Sequence, residues 1–544
     1  MNECKQSRRS FLWTVGLGAT GCLAAGAMTG KRVRASRPNV IFIITDDQKR
    51  TEFNATPEGR GRNLSPNLDS MVAGGTWFTQ MYAASSVCTP TRYNCMTGAY
   101  ASRCASSNFA RAAKKNLGQT SVQWNTFIDF DTPHIGRALQ AAGYLTGFVG
   151  KSHTHALRKH TRIAWNADPA DPEIDRILKK NQTDACEDLR KHGFDYAASI
   201  YHGNIPTQAC KALNFHNTDW IVKGALDFIE AGVKNSKPFF LHMATTITHG
   251  PGAAGKRYAG NPLATPAGLL KAPLTVMPPR DTIPKRLKKA GINRKAADIL
   301  WLDDGLGAIL KKLKALKIAD NTVIILFNDH GADGGAKGSL YQGGARSEGL
   351  IYGTGKKGHR VSQLVQNIDF APTILELCGV PRSDWPKMDG VSLTPLLAGG
   401  DNPVHKSLYF EIGDSRAVIK DGWKYLAVRH TDRINKMSLA ERKRLLDAAT
   451  RNHAKVGKKW KVTDPEAPFA HMGNYPGGND GDQRCIAARP HYFDPDQLFD
   501  LSKDPGEKKN LAKIPKHAGR LEEMKKELTA HLANLPGGFG EFKL

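Results

Sequence analysis

The sequence lacks three features that decide the class of many proteins. It has no cysteines spaced as CxxC pairs, which argues against a structural zinc site although nine cysteines are present. It has no internal repeat, which excludes a solenoid or a propeller. Acidic residues are scarce relative to basic ones, with 51 Asp and Glu against 77 Lys and Arg in 544 residues. Its 40% of hydrophobic and 24% of charged residues are typical of a globular protein with about two to four domains.

The one long uncharged stretch lies at the N-terminus. Arg8 and Arg9 precede a run from Phe11 to Gly30 that carries no charge. We interpret residues 1–35 as a signal peptide that resembles twin-arginine signals, which predicts the twin-arginine export machinery as a partner and a periplasmic or extracellular location. Two alternatives stay open, an uncleaved membrane anchor and a lipid attached at Cys22.

The rest of the chain is strongly basic. Without residues 1–35 the net charge is still far above zero. Such a charge attracts polyanions, including nucleic acid, anionic membranes and sulfated polysaccharides. Since the export signal argues against nucleic acid, the sequence predicts a partner of one of the other two kinds.

Seven cysteines remain after the signal segment, an odd number. Cys186 and Cys210 flank a polar segment and are candidates for a disulfide in an oxidising compartment. The odd count suggests a special role for one cysteine, and the surrounding sequence points to Cys88.

Apolar, β-branched runs alternate with helical patterns through the first 400 residues. The predicted strands are Asn39–Thr45, Tyr144–Val149, Phe239–Thr246 and Thr322–Phe327. The predicted helices are Pro66–Ala73, Ile135–Ala142, Asp219–Ala231 and Ala296–Leu316. This alternation predicts an α/β domain over residues 36–399, with a large, mostly parallel sheet and helices on both faces.

Each predicted strand ends in polar residues. The four clusters are Asp46 with Asp47, Lys151 with His153, His249, and Asp329 with His330. Ligands of open α/β sheets bind beyond the carboxyl ends of the strands. We therefore expect these clusters to line one pocket, although a polar loop after any single strand is commonplace.

The pattern changes after residue 400. Leu408–Ile412 and Arg416–Val428 are predicted as two strands joined by a turn, and Leu521–Leu535 as a closing helix. Ser438 and Glu441 form a capping-box pattern that opens a basic helix. We infer a smaller C-terminal α+β domain over residues 400–544. A long Gly- and Asn-rich loop in this domain, with His471 and Arg484, is a weak candidate for reaching the pocket.

Residues 88–92 form the most specific motif in the chain. Thr89 suits an N-cap and Pro90 the first helical position, so a helix is expected to begin beside Cys88. The free N–H groups and partial positive charge of a helix N-terminus favour a bound sulfate or phosphate. For one pentapeptide taken alone, a buried cysteine beside a helix cap is an equally good interpretation.

Taken together, these motifs resemble those of type I sulfatases of the alkaline phosphatase superfamily. The matching elements are Asp46-Asp47, Cys88-x-Pro90-x-Arg92 with Thr97-Gly98, Gly150-Lys151 with His153, His249-Gly250-Pro251, Asp329-His330-Gly331, Lys337-Gly338, Tyr341–Arg346, and Leu498–Leu501 with Asp504. The resemblance extends over nearly all of residues 36–544. It implies an alkaline phosphatase-like fold.

The resemblance also implies a nucleophile and a metal. Cys88 matches the position at which a maturation enzyme oxidises the cysteine of such sulfatases to formylglycine. The hydrated aldehyde of this formylglycine attacks sulfur and later expels sulfate. One divalent metal, calcium by analogy, is implied at Asp46, Asp47, Cys88, Asp329 and His330. The family more often has Asn at the position of His330, and imidazole is common with zinc, so the identity of the metal stays open.

Further roles follow from the same resemblance. Arg92, Lys151 and Lys337 are implied to surround the sulfate and to offset its charge. His249 is the candidate acid that protonates the leaving alcohol, and His153 the candidate base that deprotonates the diol.

The substrate is predicted to be a sulfated carbohydrate, from the export signal and the basic charge. His155, Arg158 and Arg346 are candidate substrate contacts. Lys159, His160 and Arg162 belong to the same basic segment, which is equally well interpreted as a solvated loop. Two other functions stay open: a phosphoester hydrolase of the same superfamily, and a polyanion-binding protein in which Cys88 is never converted.

Overall fold

The computed structural model describes residues 37–205, 210–354, 356–455, 485 and 488–542. The predicted signal segment with Cys22, and the predicted loop with His471 and Arg484, lie outside the described residues. Within the described part, none of the helices has the length and apolar character needed to cross a membrane.

The strands form one large sheet, one small sheet and two short ribbons. The bounds are β1 Asn39–Thr45, β2 Gly75–Phe78, β3 Met81–Tyr82, β4 Leu145–Lys151, β5 Tyr196–Tyr201, β6 Phe239–Ala244, β7 Ala264–Thr265, β8 Gly268–Leu269, β9 Thr322–Asn328, β10 Gly349–Tyr352, β11 His359–Val361, β12 Val365–Gln366, β13 Leu408–Ile412, β14 Ser415–Lys420, β15 Trp423–Val428 and β16 Asp496–Asp500. The large sheet has the order β11-β2-β10-β9-β1-β6-β4-β5, and the small sheet the order β13-β14-β15-β16.

The α-helices lie between these strands and at the C-terminus. Their bounds are α1 Pro66–Gly74, α2 Cys88–Thr97, α3 Ser107–Lys115, α4 Ile135–Ala141, α5 Pro172–Lys191, α6 Thr218–Lys234, α7 Ile283–Lys289, α8 Ala297–Ala315, α9 Gln342–Ala345, α10 Phe370–Leu377, α11 Thr394–Leu397, α12 Asp432–Asn435, α13 Leu439–Lys455 and α14 Ala518–Ala533. The four predicted helices of the α/β region are found within three residues of their predicted ends.

The centre of the large sheet is parallel and buried on both faces. Strands β9, β1, β6, β4 and β5 all run in the same direction. Alternate residues of β1 enter different core clusters, with Phe42 and Ile44 on one face and Ile41 and Ile43 on the other. Since both faces are covered by apolar side chains, β1 has the continuous hydrophobic sequence from which it was predicted. The predicted fold class is confirmed.

The edges of the large sheet were not predicted. Strand β10 runs antiparallel to both β9 and β2, and β5 extends the other side of the sheet. Helix α5 precedes β5 and was also missed. Its N-cap is Asp171, whose side chain accepts from the N–H groups of Glu173 and Ile174. This helix is rich in charged residues and its apolar residues are few, although they recur at helical spacing, so its low apolar content led to its omission.

The small sheet corrects one prediction. Arg416–Val428 was expected to be a single strand, but it forms the hairpin β14–β15. The turn falls at Asp421 and Gly422, whose φ angles are 49° and 75°. Two successive residues with positive φ form the tight turns that suit hairpins, and Asp-Gly is a favoured pair there. The boundary of a separate C-terminal domain at residue 400 stays a prediction.

A fully buried ion pair lies between β15 and the segment after β16. Lys424 Nζ is 2.8 Å from the Glu507 carboxylate, and both side chains are 0% exposed. Replacing Lys424 with Met would leave that carboxylate buried without its cation, because the new side chain carries no charge. We expect the free energy of unfolding to fall by about 3–5 kcal/mol, measured by urea denaturation.

Lys420 on the neighbouring strand β14 provides the matched control. Its ion pairs with Glu523 and Glu527 lie at the surface. Lys420→Met should therefore lower stability far less than Lys424→Met, since water already screens that pair. An equal loss of unfolding free energy in the two variants would contradict a larger contribution of the buried ion pair to stability.

Candidate active site

The acidic loops after β1 and β9 are tied together by backbone and amide contacts. The Asp47 N–H donates to Asp329 Oδ1 at 3.1 Å. Asn328 accepts from the Gln48 N–H at 3.0 Å and donates back to the Gln48 carbonyl at 2.8 Å. It also donates to the His330 carbonyl at 2.6 Å. Asn328 therefore fixes the two loops relative to each other, a role that sequence reasoning missed because a buried Asn at a strand end has no distinctive pattern.

Lys151 is positioned by a bulge near the end of β4. The register of β4 against β5 shifts between Val149 and Gly150. Gly150 has a φ angle of 91°, and a Cβ at this position would overlap the Ala244 carbonyl on β6. Glycine is required there because the two backbones approach so closely. The side chain of Lys151 is thereby held in the buried interior, at 1% exposure.

Cys88 is the first residue of α2. Val87 occupies the N-cap position without a side-chain hydrogen bond, so the prediction that Thr89 caps the helix is wrong by two residues. The reason is that the helical conformation already begins at Cys88, before the proline. The Cys88 side chain therefore sits at the helix N-terminus, where the partial positive charge favours an anion.

Acidic groups and a histidine surround the Cys88 thiol. Its Sγ lies 3.6 Å from Asp46 Oδ1 and 3.5 Å from His330 Nε2. The ligand atoms fall into two groups in which all members lie within 4.8 Å of one another. These groups are Asp47, Cys88 and His330, and Asp46, Cys88 and Asp329. The structure thus brings together all five residues that were predicted to hold a metal.

Three cations balance this acidic cluster. Lys151 Nζ lies 2.6 Å from Asp46 Oδ2. Lys337 Nζ lies 2.5 Å from Asp47 Oδ1 and 3.7 Å from Cys88 Sγ. Arg92 Nη2 lies 3.1 Å from Asp329 Oδ2, while its Nε and Nη1 are buried without a hydrogen-bond partner. Arg92 therefore has two N–H donors beside the acidic cluster that are not used within the protein. A site that binds an oxyanion with several oxygens requires such donors.

The cations shift the titration of the groups they contact. Burial raises the pKa of Asp46, but Lys151, His249, Arg92 and Lys337 outweigh it and hold the pKa well below its usual value. At Asp47, burial likewise raises the pKa, and Lys337, His249 and His330 lower it to about 2. Burial also raises the pKa of the Cys88 thiol, and Lys151 and Lys337 lower it to about 6. The site therefore favours negative charge at residue 88.

Two histidines border the cluster. His249 follows β6, and its Nε2 lies 3.7 Å from Asp47 Oδ2 while its Nδ1 lies 2.9 Å from the Gly250 carbonyl. His153 follows β4, and its Nδ1 has no hydrogen-bond partner. Burial and the nearby Lys151 and Arg92 hold the pKa of His153 well below its usual value. His153 is therefore neutral at pH 7 and can accept a proton.

The predicted substrate contacts are not found at this cluster. His155 is 4% exposed and packs against the rings of Phe148 and Phe194, and it also lines a cavity together with His153 and Lys159. Arg158 is already neutralised, since its guanidinium pairs with Asp184, Glu187 and Asp188.

The contacts of the Arg346 side chain lie outside the Cys88 cluster. It donates to the Thr79 carbonyl at 2.8 Å and lines a cavity of about 760 Å³ beside Tyr82 and Lys420. The structure places none of these three side chains beside Cys88, and their assignment to the substrate stays a prediction. The proposed Cys186–Cys210 disulfide is wrong, because both are free thiols packed in different apolar clusters.

Comparison with known proteins decides the family. The family model described as Sulfatase matches residues 38–380, more than half of the chain. The chain belongs to the sulfatase family. A second model, N-sulphoglucosamine sulphohydrolase, C-terminal, matches residues 350–432 of the sulfatase. The resemblance stated from the motifs is confirmed, and the protein is a sulfuric ester hydrolase.

The sulfatase has similar relatives among characterised proteins. Arylsulfatase A of Homo sapiens is 24% identical over 526 residues, which cover 91% of this chain and 87% of the relative. N-acetylglucosamine-6-sulfatase of Homo sapiens is 27% identical over 434 residues, covering 71% and 68%. A solved structure concerned with the metabolism of multiple glycosaminoglycans by Bacteroides thetaiotaomicron has a TM-score of 0.59 at 19% identity, covering 92% of this chain and all of the other. At that identity the structural likeness establishes the fold.

Proposed function

We propose that this sulfatase removes sulfate from a sulfated carbohydrate outside the cytoplasm, using a formylglycine made from Cys88 and one divalent ion, calcium. The observation that carries the proposal is the position of the Cys88 thiol, which lies between the Asp46 carboxylate at 3.6 Å and the Lys337 ammonium at 3.7 Å. A relative named for N-acetylglucosamine 6-sulfate and a neighbour from glycosaminoglycan metabolism support a carbohydrate substrate. The formylglycine requires a maturation enzyme as a partner.

The donor set of the cluster fits a divalent metal. The carboxylates of Asp46, Asp47 and Asp329 converge beside Cys88, with Asp46 and Asp329 buried, and a divalent cation among them would further offset their mutual repulsion. His330 Nδ1 lies 3.0 Å from the Gly331 carbonyl, so an Nδ1–H can donate there and leave Nε2 facing the carboxylates. Three hard oxygen donors favour calcium, and the imidazole keeps zinc as the alternative. When bound, such an ion polarises a sulfate oxygen and neutralises charge.

The residues of this chain then have separable tasks. The hydrated aldehyde at residue 88 supplies the attacking oxygen. Lys151 and Lys337 offset the negative charge that develops on the transferring group, and Arg92 offers its two unused donors. His249 donates a proton to the leaving alcohol. His153 has an unprotonated nitrogen and takes the proton from the second hydroxyl as sulfate is released.

The role of His249 as a general acid predicts a substrate-dependent defect. A sugar alcohol is a poor leaving group without a proton, whereas 4-nitrophenolate leaves readily as an anion. His249→Ala should therefore lower kcat/KM for a sugar sulfate by about 10²–10³-fold and for 4-nitrophenyl sulfate much less. Steady-state kinetics with both esters checks this, and an equal loss on both would contradict an acid role.

Parallel assays test the reaction itself. 4-Nitrophenyl sulfate and 4-nitrophenyl phosphate differ in the transferred group and share the leaving group. The proposal expects faster turnover of the sulfate ester, because each of the three cations is already paired with a carboxylate and little positive charge is left to offset the additional negative charge of a phosphate monoester. A panel of sulfated glycans with choline sulfate then tests the substrate class, and reaction of the small esters alone would contradict a carbohydrate substrate.

Export is proposed on the sequence of residues 1–35 alone. Twin-arginine transport accepts folded proteins, which is compatible with conversion of Cys88 and metal loading before export. Replacing Arg8 and Arg9 with Lys should retain the protein in the cytoplasm of the native host, as measured by cell fractionation.

A further inference from the structure

The basic segment after β4 contains two kinds of cation. Arg158 is held by three acidic residues of α5, with its Nη2 at 2.6 Å from Asp188. Lys159 and Arg162, in contrast, have no ion-pair or hydrogen-bond partner for their side chains anywhere in the described part of the chain. A positive charge without a nearby acid is available for an anionic ligand. The segment is therefore not uniform, and its free charge is concentrated in two residues.

The backbone of this segment is fixed. The Thr161 N–H donates to Asn181 Oδ1 at 2.9 Å, and Asn181 Nδ2 donates to the Thr161 carbonyl at 2.9 Å. The Arg158 N–H donates to Asp188 Oδ2 at 2.8 Å. These contacts anchor the chain on α5 on both sides of Lys159. Because the backbone is already ordered, a ligand bound here loses less free energy to ordering than it would on a freely moving basic loop.

Lys159 and Arg162 line a cavity that adjoins the active site. The cavity has a volume of about 680 Å³, within the usual range for ligand pockets, and His153 lines it as well. Among its described lining residues Asp129 is the single carboxylate. Burial lowers the pKa of His160, also in the lining, to about 4, so this histidine adds a hydrogen-bonding group without charge at pH 7. The net charge of the lining is positive.

We propose that this cavity is a subsite for a second anionic group of the saccharide, a sulfate or a carboxylate, bound by Lys159 and Arg162. The proposal rests on the proposed function, since it assumes that the scissile sulfate lies beside residue 88. His153 belongs to both places, because it follows Lys151, which contacts Asp46 in the site, by two residues and also lines the cavity. A saccharide with its reacting sulfate at residue 88 extends past His153 into this space.

The test measures binding without turnover. Protein in which Cys88 remains a thiol is loaded with calcium and titrated calorimetrically with three probes. These are glucosamine 6-sulfate, glucosamine 2-N,6-O-disulfate, and a disaccharide with one sulfate and one uronate carboxylate. We expect one or both two-anion probes to bind about tenfold or more tightly than the single-anion probe. The two-anion probes distinguish sulfate from carboxylate as the second group.

The double variant Lys159→Ala/Arg162→Ala should lose that preference. Its matched control is Lys311→Ala/Lys314→Ala, which removes the same charge from exposed positions on α8, near the end of the helix that leads to the start of β9. The control should keep the preference. The proposal is overturned if the wild type binds all three probes equally, or if the double variant keeps the preference.

A kinetic measurement separates this proposal from the proposed function. With converted protein, the double variant should hydrolyse 4-nitrophenyl sulfate within about twofold of the wild type, since that ester does not extend into the cavity. KM for the preferred two-anion saccharide should rise about tenfold, with kcat little changed. An equal loss on both substrates would contradict the subsite. If converted wild-type protein released no sulfate, the proposed function would be contradicted. The subsite would then be tested by the binding measurements alone.

Discussion

Cys88→Ala is expected to reduce sulfate ester hydrolysis by about 10⁴-fold or more, the largest loss of any substitution we predict. Cys88 lies at the N-terminus of α2, and its Sγ is within 3.7 Å of Asp46, His330 and Lys337. The substitution leaves the three cations and the other four candidate metal ligands in place, but alanine cannot be converted to the formylglycine whose hydrated aldehyde would supply the attacking oxygen. The measurement is kcat/KM with 4-nitrophenyl sulfate.

Cys186→Ala is the matched control for this loss. Cys186 is likewise buried and forms no disulfide, but it lies on α5 and is not part of the acidic cluster. Its replacement should leave kcat/KM within about twofold of the wild type. If Cys88→Ala kept wild-type activity while remaining folded, the covalent mechanism would be wrong.

Removal of the divalent ion is expected to lower turnover by about 10³-fold or more. An ion at the convergence of Asp46, Asp47 and Asp329 contributes several kcal/mol to charge stabilisation, which corresponds to this factor. Exhaustive chelation followed by dialysis gives the apoprotein, and activity is measured before and after calcium is returned. The apoprotein should also be less stable to heat, because the buried carboxylates of Asp46 and Asp329 and the partly exposed one of Asp47 then lack a central cation.

Returning different metals to the apoprotein also tests whether His330, at a position where the family more often has Asn, changes which metal the site binds. We expect calcium to restore full activity, because oxygen donors predominate in the cluster. Restoration by zinc and not by calcium would revise the metal while keeping the site. Full activity in the metal-free protein, verified by elemental analysis, would contradict a metal-assisted mechanism.

The convergence of the candidate site residues could be predicted from the sequence because most of them follow one local rule. Buried parallel strands are continuous apolar runs, so their ends are visible, and polar residues directly after them meet at one edge of the sheet. Asp46, Lys151, His249 and Asp329 were all found in this way. The Cys88 motif added a helix N-terminus at the same edge, although the helix begins earlier than predicted.

The errors come from contacts between distant segments, which leave no local pattern. Arg158 resembled a free cation because helix α5, which supplies its acidic partners, was not predicted from its polar sequence. His155 follows His153 by two residues but enters the aromatic core beside Phe148. Asn328 was overlooked because its hydrogen bonds join two loops that are distant in sequence and meet only in the folded protein.

The most direct test of the mechanism is the chemical state of residue 88 measured against activity. Preparations with different degrees of maturation are digested, and mass spectrometry gives the fraction of aldehyde in the peptide that contains this residue. The account predicts that turnover of 4-nitrophenyl sulfate per molecule rises in proportion to that fraction and is absent when every copy carries a thiol. Full turnover by protein with only the intact thiol would contradict it.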